Sequence, residues 1–226
     1  MPARRTHCVR LLSAISLLMG ITMKYDPRLH HRQSIRLRGY DYTNAGMYFI
    51  TLCVQERLFL FGNIINYQMQ LNSAGQMLLR TWEGIGETYP GVATDRFVIM
   101  PNHMHGIIVL LAGQLGPGPV PSEQRCKVLA ADPPVEQTPL HDAIKRFKTY
   151  TATLYREGVR GEGWQPYAGK LWQRGYYEHI IRDAKSLGEI RYYIINNPRR
   201  WQFDRENPKR IKEDPFDKWL GICREE

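Results

Sequence analysis

The chain has 226 residues, of which 43% are hydrophobic, 11% aromatic and 23% charged. These proportions belong to soluble globular proteins and exclude a disordered, collagen-like or multi-span membrane chain, while the length is too short for an eight-fold α/β barrel. Lys and Arg number 31 against 22 Asp and Glu, a net charge of +9, and such an excess favours a polyanionic partner such as nucleic acid.

Residues 1–22 carry Arg4, Arg5 and Arg10 ahead of the apolar stretch Leu11–Ile21, which has the size of a signal-peptide hydrophobic region and is too short to span a bilayer. No small-residue cleavage site follows, and Met23 opens a more ordinary soluble beginning. We therefore read 1–22 as an extension ahead of a misassigned start, 23–205 as the domain, and 206–226 as a C-terminal tail. Cys8, Cys53, Cys126 and Cys223 form no C-x-x-C pair and have no histidines at zinc-finger spacing, so they read as reduced thiols of a cytoplasmic protein.

In chain order, the run 47–54 (Met-Tyr-Phe-Ile-Thr-Leu-Cys-Val) after Asn44-Ala45-Gly46 predicts a buried strand. Ala74, Met77, Leu78, Trp82 and Ile85 recur at three-and-four spacing, predicting a helix over 73–87 with Ser73 and Gln76 as a capping box. Pro90-Gly91 ends it, and strands follow at 96–100 and 105–111, paired antiparallel across the turn at Pro101-Asn102. Residues 112–137 hold five prolines in a Gly-rich polar stretch and read as a flexible insertion. Thr138-Pro139 opens a helix carrying Leu140, Ile144, Phe147, Thr151 and Leu154 on one face. A strand at 176–181 and a helix from Ser186 to Asn196 or Asn197, stopped by Pro198, complete the pattern. The order predicts an α+β fold, one antiparallel sheet of four to five strands with helices packed on it in a split βαβ arrangement.

His103-Met104-His105 is the most informative tripeptide. Residues two apart on a strand face the same side, so both imidazoles can reach one divalent ion while Met104 turns into the core. Such a tripeptide also arises often by chance, but the Pro-Asn turn before it would put both rings at an accessible sheet edge. On the last helix, at about 100° per residue, Leu187, Ile190, Arg191 and Ile194 form the stripe facing the sheet. Tyr193 and Asn197 sit one turn apart at its margin, in reach of the sheet's open end. Asn197 offers a hard carbonyl oxygen suited to Mg²⁺ or Mn²⁺, and Tyr193 a phenol that can act as nucleophile. The same two residues also read as a packing tyrosine and a helix C-cap, and spacing alone does not decide between the readings.

Three segments taken together, Met100–Ile108, Leu171–Arg182 and Tyr192–Pro198, resemble the REP-associated tyrosine transposases, relatives of the single-tyrosine HUH transposases of small insertion sequences. The opening residues Tyr25–Arg32 and Ile35–Tyr42 match the same family's beginning, so the resemblance runs over roughly 24–202. It implies a ferredoxin-like HUH nuclease fold and a metal-dependent single-stranded DNA endonuclease and strand transferase that acts at or near palindromic hairpins. His103 and His105 would be the metal-binding pair and Tyr193 the nucleophile. Asn197 would take the place of a polar residue that relatives carry four positions after the tyrosine. The product would be a 5′-phosphotyrosine and a free 3′-hydroxyl. Tyr192, about 100° away on the helix, is set aside as nucleophile.

Basic and aromatic residues interleave at Trp172-Gln173-Arg174, Arg182 and Arg199-Arg200-Trp201, a pattern that pairs phosphate contacts with base stacking in single-strand binders. Arg36, Arg38 and Tyr40, together with Lys145, Arg146 and Lys148, are the further candidates for holding a DNA hairpin. His141 and His179 read as surface or core residues. Two other readings stand beside this one: a non-catalytic hairpin DNA- or RNA-binding protein on the same fold, and a small-molecule metal hydrolase barrel opened by His-x-His, which a sheet of only four or five strands would remove. The expected partner is single-stranded or hairpin DNA, with no membrane; a homodimer and a monomer are both open.

Overall fold

The computed structural model describes residues 44–111 and 138–220. The expectations for residues 1–22, Arg36, Arg38, Tyr40, the insertion 112–137 and the final 221–226 lie outside the described residues.

Eight consecutive residues that alternate between two buried faces make strand β1, Gly46–Cys53. A 3₁₀ turn at Gln55–Arg57 follows, and then the hairpin β2 (Gly62–Ile65) and β3 (Gln68–Leu71). Asn66 and Tyr67 close that hairpin with φ of 50° and 61°, the left-handed pair that a tight two-residue connection requires. Each of its strands has only four residues, too few for an apolar pattern to mark them in the sequence. Helix α1 runs Ser73–Glu83 and α2 Ile85–Thr88. The cap of α1 is Asn72, whose side chain accepts from the Gly75 N–H at 2.9 Å, so the expected Ser73 box lies one residue too late. β4 (Val92–Ile99) and β5 (His103–Leu110) pair antiparallel as expected, each longer at its N-terminal end. Helix α3 spans Leu140–Gly161, β6 spans Tyr177–Ile181, and α4 spans Ala184–Asn196. Asp183 caps α4 by accepting from the Ser186 N–H at 2.7 Å.

The main sheet has the order β4-β5-β1-β6 with every neighbouring pair antiparallel. β1 and β4 flank β5, and β5 and β6 flank β1, so each helix-linked pair of strands is split by a third: the α+β, ferredoxin-like arrangement. A four-stranded open sheet also removes the hydrolase-barrel reading.

Side chains leave the two faces alternately. Tyr48, Ile50, Leu52, Met104 and Ile108 pack beneath α1 and α3 against Leu78, Trp82, Ile144 and Phe147. Gly106 is required there, because a Cβ at that position would stand 2.4 Å from the buried Trp82 ring. Phe49, Ile107 and Tyr177 face the other way and pack beneath α4 against Leu187, Ile190, Tyr193 and Ile194. Arg191, expected in that stripe, instead bridges outward to Asp95, its Nε donating at 3.0 Å.

Pro198 ends α4 but not the helical path. The chain tightens into a 3₁₀ turn over Asn197–Phe203, with Pro198 in its first turn, where the missing N–H costs nothing. Beyond it lies a short helix α5, Pro215–Trp219, capped by Asp214. Glu206, Asn207, Asp214, Asp217 and Leu220 are all buried, so the folded unit continues through 220 and the boundary expected at 205 does not fall there.

Candidate functional site

His103 and His105 open β5 on the α4 face, opposite Cys53 and Thr51 of β1. Both are buried, and their Nε2 atoms stand 3.0 Å apart. Each ring is oriented through its other nitrogen. His103 Nδ1 lies 2.8 Å from Asn102 Oδ1, and the Asn102 amide donates to the Glu206 and Arg57 carbonyls at 2.7 and 3.3 Å. With the amide nitrogen committed, its oxygen must accept, so the His103 proton sits on Nδ1 and a lone pair is left on Nε2. Thr51 Oγ1 meets His105 Nδ1 at 2.8 Å, and a hydroxyl can serve either tautomer of that ring. Holding the far nitrogen of each imidazole is how proteins aim histidines at a metal.

The 3₁₀ turn brings a third group to the pair. Asp204 Oδ2 lies 3.5 Å from His103 Nε2 and 3.8 Å from His105 Nε2, and the three residues form a group that could hold a metal ion. Sequence reasoning missed Asp204: it follows an element that was not expected, and its only signal is its place in the polar run Asp204-Arg205-Glu206-Asn207. Asn197 is buried beside it, donating from Nδ2 to Asp204 Oδ2 at 3.0 Å, while its own Oδ1 has no partner. An orphaned buried carbonyl oxygen beside two convergent imidazoles and a carboxylate is what a divalent cation would satisfy.

Electrostatics favour the same reading. Burial pushes the His103 imidazole down to about 4, against the pull of Asp204, so it is neutral and able to bind metal at neutral pH. Burial alone would raise the Asp204 carboxyl, but His103, His105 and the Glu206 N–H outweigh it and hold it well below the ordinary carboxylate range.

Tyr193 comes from α4, where the helical period sets it beside Ile190 and Ile194 on the packed face. Its hydroxyl stands 3.3 Å from His105 Nε2 and its ring lies edge-on to Phe49. The phenol is buried and stacks on Phe216 of α5 with ring centroids 3.9 Å apart. Burial, then Asp204, Asp217 and Asp214, push its pKa well above that of free tyrosine. Tyr192, one residue earlier, is 62% exposed and points away.

The structure thus brings His103, His105, Tyr193 and Asn197 together, and adds Asp204, Asn102 and Thr51. It does not gather the basic and aromatic candidates in the same way. Trp172 is a correction: it is buried against Phe61, with its Nε1 donating to Thr151 Oγ1 at 2.9 Å, and its ring is not available to a base. Gln173 donates its amide to the Val54 carbonyl. The Lys148 ammonium is committed to the carbonyls of Gln173, Arg174 and Gly175, and Arg200 pairs with Asp214. Arg174, Arg182 and Arg199 are exposed. Lys145 and Arg146 are exposed on α3, the helix that covers the opposite face of the sheet. His141 and His179 stand apart from the histidine pair, beside Asp142 and Trp219 respectively. Among the described residues no helix is long and apolar enough to cross a membrane.

The fold and the site together define an α+β domain in which a His-x-His strand faces a helix-borne tyrosine. In sequence the chain is similar to two proteins of Haemophilus influenzae, one of them a candidate REP-associated tyrosine transposase. It is 42% identical over 184 residues to an uncharacterised protein of Haemophilus influenzae, covering 81% of this chain and 97% of that one. It is 27% identical over 161 residues to a candidate REP-associated tyrosine transposase of the same organism, covering 70% and 73%. No family model matches. A solved REP-associated tyrosine transposase bound to a REP hairpin is 19% identical, with 75% of this chain and 74% of that one covered and a TM-score of 0.44. A candidate transposase from Deinococcus radiodurans is 16% identical, with 72% and 97% covered and a TM-score of 0.36.

Proposed function

We propose that the protein is a metal-dependent single-stranded DNA endonuclease and strand transferase that cleaves beside hairpins through a Tyr193 phosphotyrosine. The observation that carries this is the convergence of the Tyr193 hydroxyl on the same His105 Nε2 that, with His103 and Asp204, could hold a metal.

His103, His105 and Asp204 would hold the ion, with Asn197 Oδ1 as a fourth donor. Two imidazoles beside oxygen ligands suit Mn²⁺ better than Mg²⁺, which prefers an all-oxygen shell. When bound, the ion supplies positive charge that stabilises both the phenolate and the non-bridging phosphate oxygens. Without such charge the phenol is a poor nucleophile, since burial and three carboxylates all favour its protonated form. The Tyr193 oxygen forms a bond to phosphorus as the bond to the 3′-oxygen breaks. The phenol gives up one proton and the departing 3′-hydroxyl gains one, so no water is consumed and the diester energy is kept for rejoining. Asn102 and Thr51 fix the imidazoles, and the ring packing of Tyr193 on Phe49 fixes the direction of attack.

Incubating the protein and Mn²⁺ with a labelled hairpin bearing a single-stranded flank should give a denaturant-resistant protein–DNA adduct. Tyr193→Phe should give none and Tyr192→Phe should give as much as wild type; an adduct that survives Tyr193→Phe and vanishes in Tyr192→Phe refutes the assignment. The second reading, a hairpin-binding protein without cleavage, draws support from the cover that Phe216 places over the phenol. It predicts DNA binding with no adduct from any variant.

A further inference from the structure

Beside the histidine pair lies an aromatic surface that neither the metal nor the nucleophile uses. The Trp201 ring stacks on His103, with centroids 5.9 Å apart and planes 25° apart. Phe59 meets Trp201 edge-to-face at 5.7 Å and keeps 39% of its surface exposed. Phe59 is displayed by an unusual backbone. Glu56 and Arg57, neither of them glycine, both adopt left-handed conformations with φ of 59° and 54°. Strain of this kind persists only where the surroundings over-determine it. Here the Leu60 and Phe61 N–H groups both donate to the Pro101 carbonyl, and Asn102 donates to the Arg57 carbonyl. Asn102 is also the residue that orients His103, so the exposed ring and the histidine pair are tied to one rigid hub. Arg57, two residues before Phe59 and with its side chain 42% exposed, shares the buried Glu206 carboxylate with Arg205, at 3.2 and 2.8 Å, so the two arginines leave one positive charge in excess there.

We propose that Phe59 and Trp201 form a stacking platform for one unpaired base of the DNA strand, holding that strand beside His103. The inference rests on the single-stranded DNA reading above. Flat aromatic rings beside cationic side chains are how proteins hold single strands without reading sequence, because every base presents a π-face. The platform takes the role that the sequence pattern had given to Trp172, which the core has claimed.

The test measures binding, not cleavage, in the Tyr193→Phe background without added metal. The probe is a hairpin oligonucleotide with a single-stranded flank, and an abasic site is moved through each unpaired position. At one position the abasic site should weaken binding about tenfold, in the range of alanine substitutions at base-stacking aromatics. Adding Phe59→Ala should weaken binding to the intact oligonucleotide by a similar factor and abolish the penalty at that position. Phe59→Tyr should restore the penalty and Phe59→Leu should not, which separates stacking from mere bulk. Identical abasic profiles with and without Phe59→Ala overturn the proposal, as does a Phe59→Ala loss that Phe59→Leu repairs. If wild type forms no adduct but the coupling is present, the cleavage reading fails and the platform stands; an adduct without coupling does the reverse.

Discussion

Asp204 is the site residue whose removal is easiest to read, because asparagine keeps its shape and deletes only its charge. Its carboxylate oxygen lies 3.5 and 3.8 Å from the two imidazole Nε2 atoms, so a cation held by both rings feels that charge at short range. Two unit charges 4 Å apart attract by about 4 kcal/mol at an effective dielectric constant of about 20, and a divalent ion gains more. The introduced amide dipole and retained ion hydration return part of this, leaving a loss of about 3 kcal/mol, or roughly two decades in dissociation constant. The fold should tolerate the change. The new carbonyl can still accept from the Glu206 N–H, and a flip of the Asn197 amide turns its orphaned Oδ1 toward the new NH₂. The cost to the metal-free protein should then be about 1 kcal/mol. Calorimetric titration of Asp204→Asn with Mn²⁺ at pH 7 measures the first quantity and urea unfolding in EDTA the second. A Mn²⁺ affinity within threefold of wild type would refute Asp204 as a ligand, and a large loss of metal-free stability would mean that its role is structural.

Two further expectations concern stability. Gly106→Ala forces a methyl to within 2.4 Å of Trp82, and the overpacked ring should cost about 1–3 kcal/mol; an unchanged urea midpoint would show that α1 can yield. The second uses paired variants between pH 4 and 6.5. The His103 pKa is lowered from 6.5 to about 4 on folding, so its unfolded form binds the extra proton and its contribution rises with pH. Asp217 is raised from 3.8 to about 6 by burial, so its folded form binds the extra proton and its contribution falls as pH rises. Asp217→Asn should therefore be stabilised by raising the pH through this window and His103→Gln destabilised, with wild type flatter than either in urea melts. Parallel profiles for the two variants would refute the opposition.

The strands and long helices were legible because each buries one face against one neighbour, so the apolar period reports the element directly. Helix α4 illustrates this: Leu187, Ile190 and Ile194 mark the buried stripe, and Tyr193 falls at its edge because α-helical geometry permits nothing else. The His103–His105 pair was legible for the same reason, through the two-residue period of a strand. What escaped has no period. The β2–β3 hairpin is held by its turn, and Asp204 reaches the site through a 3₁₀ turn that carries the chain past a proline. Trp172 escaped differently: flanked by Gln173 and Arg174 it looks like a surface aromatic, yet an isolated bridge from Trp172 to Val54 draws it into the core. The Phe59–Trp201 contact joins residues 142 positions apart, a juxtaposition that no local pattern encodes. The groups that could bind metal or position DNA in this protein thus divide by origin. Those on regular elements can be read from sequence, whereas those on turns depend on hubs such as Asn102, which binds two carbonyls and a histidine at once. Substitutions at that hub should therefore disturb the histidine pair and the aromatic surface together, whereas changes on α4 should act through Tyr193 and its contact with His105 Nε2.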